Sequence, residues 1–441
     1  MCSAVPRPPA RPVAPSAGRF LASPDLSWAR RLVVLVTVLG LVAVACSNGG
    51  GDSDNAAQSG TASTGSSSST SSTEAPTTTQ GKKIDVLAGM PGVTDPNNLY
   101  SDTGSKNMSA AVQGAPVRVY VPNRQDNTVS VIDPATMQVM YTFPVGVNPQ
   151  HIVPSWDLKT LYSTDTAEGR TDGSLTAIDP ITGQPGQRFM VDDPYNMYFT
   201  PDGKAGLVVA EARKRLDFYD PNTWQLQGSI AVPDCSGVNH ADFSIDGKFA
   251  IFTCEFQGSL VKIDIENRTV LGYMTLSGGG MPQDIRVSPD GSTFFVAEMM
   301  RGGVYTVDPY AFTETGFIDT GIGAHGLYPS RDATKLYVAN RGQNHVGGNT
   351  ADGPGSISVI DFATKQVIVN WPIPGGGSPD MGGVSIDGLT LWLAGRYDDE
   401  VYAINTLDGQ VTKIPVGNEP HGLAIWPQPG RYSLGHTSNL R

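Results

Sequence analysis

Apolar and polar residues alternate along most of this chain in short runs broken by turn-forming residues, and no long amphipathic helical spacing appears anywhere. The clearest stretch runs from Met281 to Pro309. It predicts strands at Asp284 to Val287, Thr293 to Ala297 and Gly303 to Val307, the first two joined by Ser288-Pro289-Asp290-Gly291. Such a turn has a mechanism, since proline presets φ, aspartate caps the turn backbone and glycine accepts positive φ at the exit. The β-branched and aromatic residues on either side suit a pleated strand.

The stretch recurs. An apolar residue before Asp or Asn ends a strand at Ile132-Asp133, Ile178-Asp179, Tyr219-Asp220, Ile263-Asp264, Val307-Asp308, Ile360-Asp361 and Ile404-Asn405, with gaps of 46, 41, 44, 44, 53 and 44 residues. The turn recurs in step at Thr200 to Gly203, Ser244 to Gly247 and Ser385 to Gly388. Seven strand-rich units at one period predict an all-β chain, a seven-bladed β-propeller with one four-stranded blade per unit. The first unit offers only Arg118 to Val121, Thr128 to Ile132 and Gln138 to Phe143. Its missing innermost strand reads at the other end as Gly422 to Trp426, so the ring closes by pairing a C-terminal inner strand with the N-terminal blade, which protects sheet edges. The expected propeller spans residues 117–427, preceded by an arm over 82–116 that packs on the outside or across one mouth, and followed by a tail over 428–441. The long gap holds an inserted loop, Gly342 to Gly355, which reads equally as a binding loop or a neutral insertion.

Composition adds a location. Arg30-Arg31 precede an apolar run from Leu32 to Ala45, too short to span a membrane and suited to a signal peptide over residues 1–45. The run ends at Ala43-Val44-Ala45-Cys46, which resembles a bacterial lipobox and makes Cys46 the expected lipidation site. The arginine pair also resembles a twin-arginine signal, and the choice between export routes stays open. Residues 46–81, almost all Ser, Thr, Gly and Ala, read as a flexible tether. The protein is therefore expected outside the cytoplasm, anchored on the outer side of the cell membrane. The signal carries five arginines and one aspartate, so its removal takes the formal net charge from −12 to −16. Such acidity argues against nucleic acid, and leaves the membrane as a partner only through the lipid. Cys235 and Cys254 are expected to form a disulfide, the alternative being a metal-binding thiolate pair with His240.

Tyr120-Val121-Pro122-Asn123 followed by Asn127 to Asp133, Tyr337-Val338-Ala339-Asn340 followed after the insertion by Ser356 to Asp361, and Val416-Gly-Asn-Glu-Pro-His-Gly-Leu-Ala424 resemble the words of the YVTN-repeat family of seven-bladed propellers. The resemblance covers about 310 residues and implies the fold strongly and a function hardly at all. Members are typically exported or surface-associated bacterial proteins, and lactonase-like enzymes share the architecture. Glu211, Glu298 and Gly395 stand where the family word has Asn. Ala177 to Gly183 is similar to the docking words of quinoprotein propellers, but the tryptophan those words need is missing, so no quinone cofactor is expected.

Each innermost strand begins beside the central channel, so one slot from every blade faces the others. Around the ring it reads His421, His151, Asn196, His240, Asp284, His325 and the Asp380-Met381 pair. Neutral imidazoles with a carboxylate could hold one transition metal (zinc, copper or iron) through His151, His240, His325 and His421. The competing reading is that Pro-His-Gly is ordinary repeat furniture, each imidazole bonding the adjacent blade. A second ring follows the second strands: Asn123, Asp165, Glu211, Glu255, Glu298 and Asn340, with Arg124, Arg213, Arg301, Arg341 and Arg396 nearby. These residues either bind a polar ligand at the channel mouth or pair with one another. The motifs of covalent haem, zincins, P-loops and α/β-hydrolase elbows are absent. The expected function is binding of a small polar ligand or an envelope protein at the channel mouth, by a monomer. The rival readings are a metal-dependent oxidoreductase or lyase using the histidine ring, and a lactonase-like hydrolase.

Overall fold

The alternating runs fold as strands in a computed structural model, which describes residues 83–347, 350–436 and 439–441. The expected signal peptide, the lipidation site Cys46 and the tether lie outside those residues. Seven antiparallel sheets form the blades; six are four-stranded, and the third gains two short strands, Ser433–Gly435 and Asn439–Leu440, from the C-terminal segment. The fifth, for example, comprises Pro282–Val287, Phe294–Glu298, Gly303–Asp308 and Thr313–Asp319. Its innermost strand is buried throughout, whereas its outermost alternates between exposed and half-buried positions. Apolar side chains meet between blades: Phe295, Ala297 and Val304 of the fifth share a cluster with Leu327, Leu336 and Val338 of the sixth.

Both recurring sequence words have structural reasons. The Asp or Asn that ends each third strand accepts a backbone N–H two or three residues on, from Ala135, Ile181, Asn222, Asn267, Tyr310, Thr364 and Leu407 in turn. Such a turn starts the reversal into the outermost strand of every blade. At Ser288-Pro289-Asp290-Gly291 the Ser288 hydroxyl donates to Asp290 at 2.6 Å and Asp290 accepts from the Ser292 N–H at 3.0 Å. Gly291 has φ +74°, and a Cβ there would stand 2.9 Å from Ile245 of the neighbouring blade. Glycine is required both by the turn and by the blade-to-blade approach.

Ala424–Trp426 pairs antiparallel with Arg118–Tyr120, so the innermost strand of the first blade comes from near the C-terminus. Trp426 is fully buried in a cluster with Tyr120, Val131 and Ile152, which ties the first blade to the second. Cys235 and Cys254 form a disulfide that joins the loop before the fourth blade to the end of its second strand. Both sulfurs are thereby committed, which rules out the thiolate pair with His240.

The two mouths of the channel differ. On the face carrying the Ser-Pro-Asp-Gly turns, residues 83–116 run across the blades: the N–H groups of Leu87 and Leu99 donate to the carbonyls of Asp246 and Pro289, both at 2.8 Å. After Trp426 the chain does not leave the ring. Tyr432 stacks near Trp156, Gly435 pairs with Tyr198 on the innermost strand of the third blade, and Arg441 ends beside Asp242. The C-terminal segment is therefore inserted into the channel from the arm's face, leaving the other mouth open.

Replacing Trp426 with Ala removes a buried side chain at the seam. The variant should lose about 3–5 kcal/mol, read as an earlier urea midpoint. An unchanged midpoint would mean that closure depends on backbone pairing alone.

Candidate functional site

The open mouth leads to a pocket of about 330 Å³ whose walls include Arg124, Tyr195, Glu211, Glu255, Arg341 and Arg396. A larger hollow of about 540 Å³ lies on the opposite face, but Asp332 and Asp387 on its walls are spent on their own turns. The chemistry is concentrated at the smaller one.

The second ring of the sequence divides. Asn123 donates to Thr128 and Ser130, and Asn340 to Ser356 and Ser358, at 2.9–3.1 Å. Asp165 takes the same position in the second blade and accepts from Ser163, Ser174 and Thr176. These residues tie the second strand to the third. Glu298 accepts three backbone N–H groups, from Met281, Met300 and Arg301, and so shapes its own loop instead of facing ligand. Arg213 pairs with Asp192 and caps the carbonyls of Gly169 and Arg170, off the pocket wall. Only Glu211 and Glu255 of that ring, with Arg124, Arg341 and Arg396, reach the pocket. Burial raises the pKa of both glutamates, and Glu255 raises that of Glu211 further. The inserted loop contributes Val346 to the wall.

Beneath the pocket floor sits Asp380, fully buried. Arg341 donates to it at 2.7 Å and Arg396 lies at 3.5 Å. His325 Nδ1 is 2.9 Å from one carboxylate oxygen and His421 Nε2 is 3.4 Å from the other. Burial alone would raise the Asp380 pKa, but its neighbours together, Arg341 foremost with His325 and His421 after it, outweigh burial and hold the carboxyl well below the usual range. Burial in turn pushes His325 down to about 4 and His421 well below its ordinary value. His421 gives its Nδ1–H to the Gln150 carbonyl at 3.1 Å, so its Nε2 lone pair points at an ionised carboxylate.

Deeper still lie His151, His240 and His436. The ring centroid of His151 is 3.9 Å from that of His436, 4.6 Å from His421 and 5.7 Å from His240. Neither nitrogen of His151 has a hydrogen-bond partner among the described residues. Burial keeps all three rings neutral, the protonation state in which imidazole binds metal. The 151 ring needs glycine opposite it: a Cβ on Gly422 would stand 1.8 Å from His151 Nδ1. Asn196 orients His240 through its Nδ1 at 3.2 Å. Two groups could each hold an ion, His151 with His240 and His436, and His325 with Asp380 and His421, their ligand atoms lying within 4.8 Å of one another. Three tetrahedral ligands on one ion at about 2.0–2.1 Å stand about 3.3–3.4 Å apart, so the side chains must draw in by up to about 1.4 Å to share it. On the far side Asp284 accepts from the Ile285 and Leu327 N–H groups, and burial pushes its pKa up to about 6. It stands apart from the histidines, next to Arg286.

The slot read from the sequence is therefore brought together, with Asp284 a layer away. The residue missed is His436, which belongs to no repeat; its one signal is the alternation of large Tyr432, Leu434 and His436 with small Ser433 and Gly435 in a segment past the last blade.

A family model for YNCE-like β-propellers matches residues 84–429. The chain belongs to that family. No curated protein sequence matches it. Among solved structures, hydrazine synthase of Kuenenia stuttgartiensis is 19% identical, with a TM-score of 0.53 over 63% of this chain and 89% of that one. A putative 6-phosphogluconolactonase from Bacteroides uniformis is 15% identical, with a TM-score of 0.57 over 70% and 99%. The dihydro-heme d1 dehydrogenase NirN is 14% identical, with a TM-score of 0.53 over 72% and 78%. At these identities the likeness is one of fold. This YNCE-like propeller shares a scaffold with proteins named for different chemistries, so its function has to be argued from its own channel.

Asp165 gives a pH test of the structural ring. Burial pushes its pKa up to about 6, whereas an unfolded aspartate titrates near 3.9. The folded state thus binds the extra proton between those values, and stability falls as pH rises through the window. Asp165→Asn should remove that slope, gaining up to about 3 kcal/mol on wild type between pH 4 and 7. A difference in urea midpoint that stays constant with pH would show that Asp165 is ionised throughout.

Proposed function

We propose that this propeller acts outside the cytoplasm, tethered through Cys46, and that it binds one transition-metal ion at the channel histidines and presents it to a small polar ligand entering at the open mouth. The observation that carries the reading is His151: a fully buried neutral imidazole with both nitrogens unpartnered, packed against three other imidazoles. Buried polar atoms are almost always satisfied, and leaving one unsatisfied costs about 1–3 kcal/mol. A cluster of them facing one another is explained by an ion. All-nitrogen ligation suits copper, zinc or iron better than magnesium or calcium.

The pocket volume falls at the lower end of the range of small-molecule sites, which favours a small ligand over a macromolecule. Its walls offer Arg341 and Arg396 on one side and the Glu211–Glu255 pair on another. One feature favours an enzyme over a carrier. His325 lies on the pocket wall with its Nδ1 against Asp380, the arrangement in which a carboxylate orients an imidazole to exchange protons through its other nitrogen. The enzyme reading, a metal-dependent oxidoreductase or lyase, is thus a specific extension of the binding reading.

Elemental mass spectrometry on the full-length protein, purified without a metal-binding tag, tests the site. About one equivalent of copper, zinc or iron is expected, falling to a trace in His151→Ala while the melting curve keeps its cooperativity. A protein that stays metal-free after chelation and reloading with each ion, and whose melting is unaffected by His151→Ala, would overturn the proposal.

A further inference from the structure

The C-terminal segment is joined to the ring by few backbone hydrogen bonds, yet its residues are buried. Gly435 makes one strand bridge to the ring, at Tyr198, and the His436 N–H donates to the Met197 carbonyl at 3.3 Å. Two side chains beyond it converge on one carboxylate: Asn439 and Arg441 both donate to Asp242 Oδ1 at 2.8 Å. Asp242 is fully buried on the innermost strand of the fourth blade and faces Arg286 at 4.0 Å. Around this latch Tyr432 packs against Trp156, and Arg441 exchanges backbone hydrogen bonds with Tyr432. Between the strand bridge and the latch stands His436, its ring 3.9 Å from His151 and 4.8 Å from His240.

We propose that the C-terminal segment is a ligand-bearing plug. It inserts from the face opposite the pocket, supplies His436 as the third imidazole of the His151–His240 site, and is held by the ion at one end and by Asp242 at the other. The inference rests on the metal reading above and adds to it that metal binding and seating of the segment are a single linked equilibrium. An ion that binds only when the segment is seated must hold it seated, by the same factor in both directions. Each anchor then strengthens the other, although Arg441 touches no metal ligand's ring. With the plug in place the far mouth is shut, and ligand reaches the ion only through the pocket of Arg341, Arg396 and Glu255.

The test uses the full chain with Zn²⁺ and Cu²⁺ as probes. Dissociation constants come from chelator competition, and seating is read from hydrogen exchange at the Ser433 to Gly435 amides with and without ion. In wild type the ion should slow that exchange by at least about tenfold. His436→Ala should weaken binding by at least about tenfold and abolish the effect of metal on exchange. Arg441→Ala should speed exchange in the metal-free protein and weaken the metal by a matching factor, with His436 intact. His436→Gln serves as the second variant if the alanine form does not fold. Equal affinity in wild type and His436→Ala, with exchange insensitive to the ion, would sink the plug and leave the metal site standing. A wild type that takes up neither ion removes the metal reading itself, and this inference with it.

Discussion

Seven innermost strands share one axis, and the space they leave is narrow enough that side chains from different blades meet there. Everything chemical in this protein follows from that convergence. Elsewhere in each blade the repeat can vary with only local effect, because its side chains face a neighbouring blade or solvent. At the axis a residue's surroundings are set by blades far away in sequence. His151 depends on Gly422 to make room and on His421 and His436 for company. The depth of the cluster also removes water, and desolvation is the largest influence on each of the five imidazoles.

The channel is layered by charge in consequence. At the floor of the pocket two arginines hold one carboxylate ionised, and at the far end Arg286 and Arg441 attend Asp242 and Asp284. The neutral histidines occupy the gap between these two ionic layers. Desolvation makes imidazolium formation costly there and outweighs the opposite pull of Asp380, so the rings stay available as nitrogen donors. The same argument explains why His345, in the exposed inserted loop and 2.9 Å from Asp352, is no part of this chemistry: it has solvent and a private partner.

Much of this was legible because the legible residues do local work. The Asp or Asn before each outer reversal recurs since every blade needs the same turn, which is why counting it yields seven, whereas the inner-turn Gly recurs in four units and gives way to Leu158 and Ala333 at positive φ in two others. The inner-strand slot could be read too, being a register position within the repeat. What the repeat could not convey was depth and direction. Glu298 and Glu211 occupy corresponding places, yet Glu298 turns to its own loop's N–H groups and Glu211 to the pocket. Arg213 follows Glu211 closely in sequence but finds Asp192 on the outside. His436 was out of reach for a different reason. It lies past the final repeat, where no register predicts what a residue faces, and only the three-dimensional path of the segment brings it to the axis.

That path gives the end of the chain a combined role. From His421 onward it supplies a ring at the Asp380 layer, the glycine that admits His151, the strand that closes the first blade, a further ring for the deep cluster, and the arginine that pairs with Asp242. Closure and site assembly are therefore the same event. A partial chain lacking this stretch would have an open seam, an Asp242 that has lost Asn439 and Arg441 and keeps only Arg286 as a charged partner among the described residues, and two imidazoles too few. Coupling a buried polar cluster to the last strand that seals the ring means that the cluster is desolvated only once its partners are in place. It also means that the histidines cannot be judged as isolated ligands, since their arrangement is a property of the closed ring.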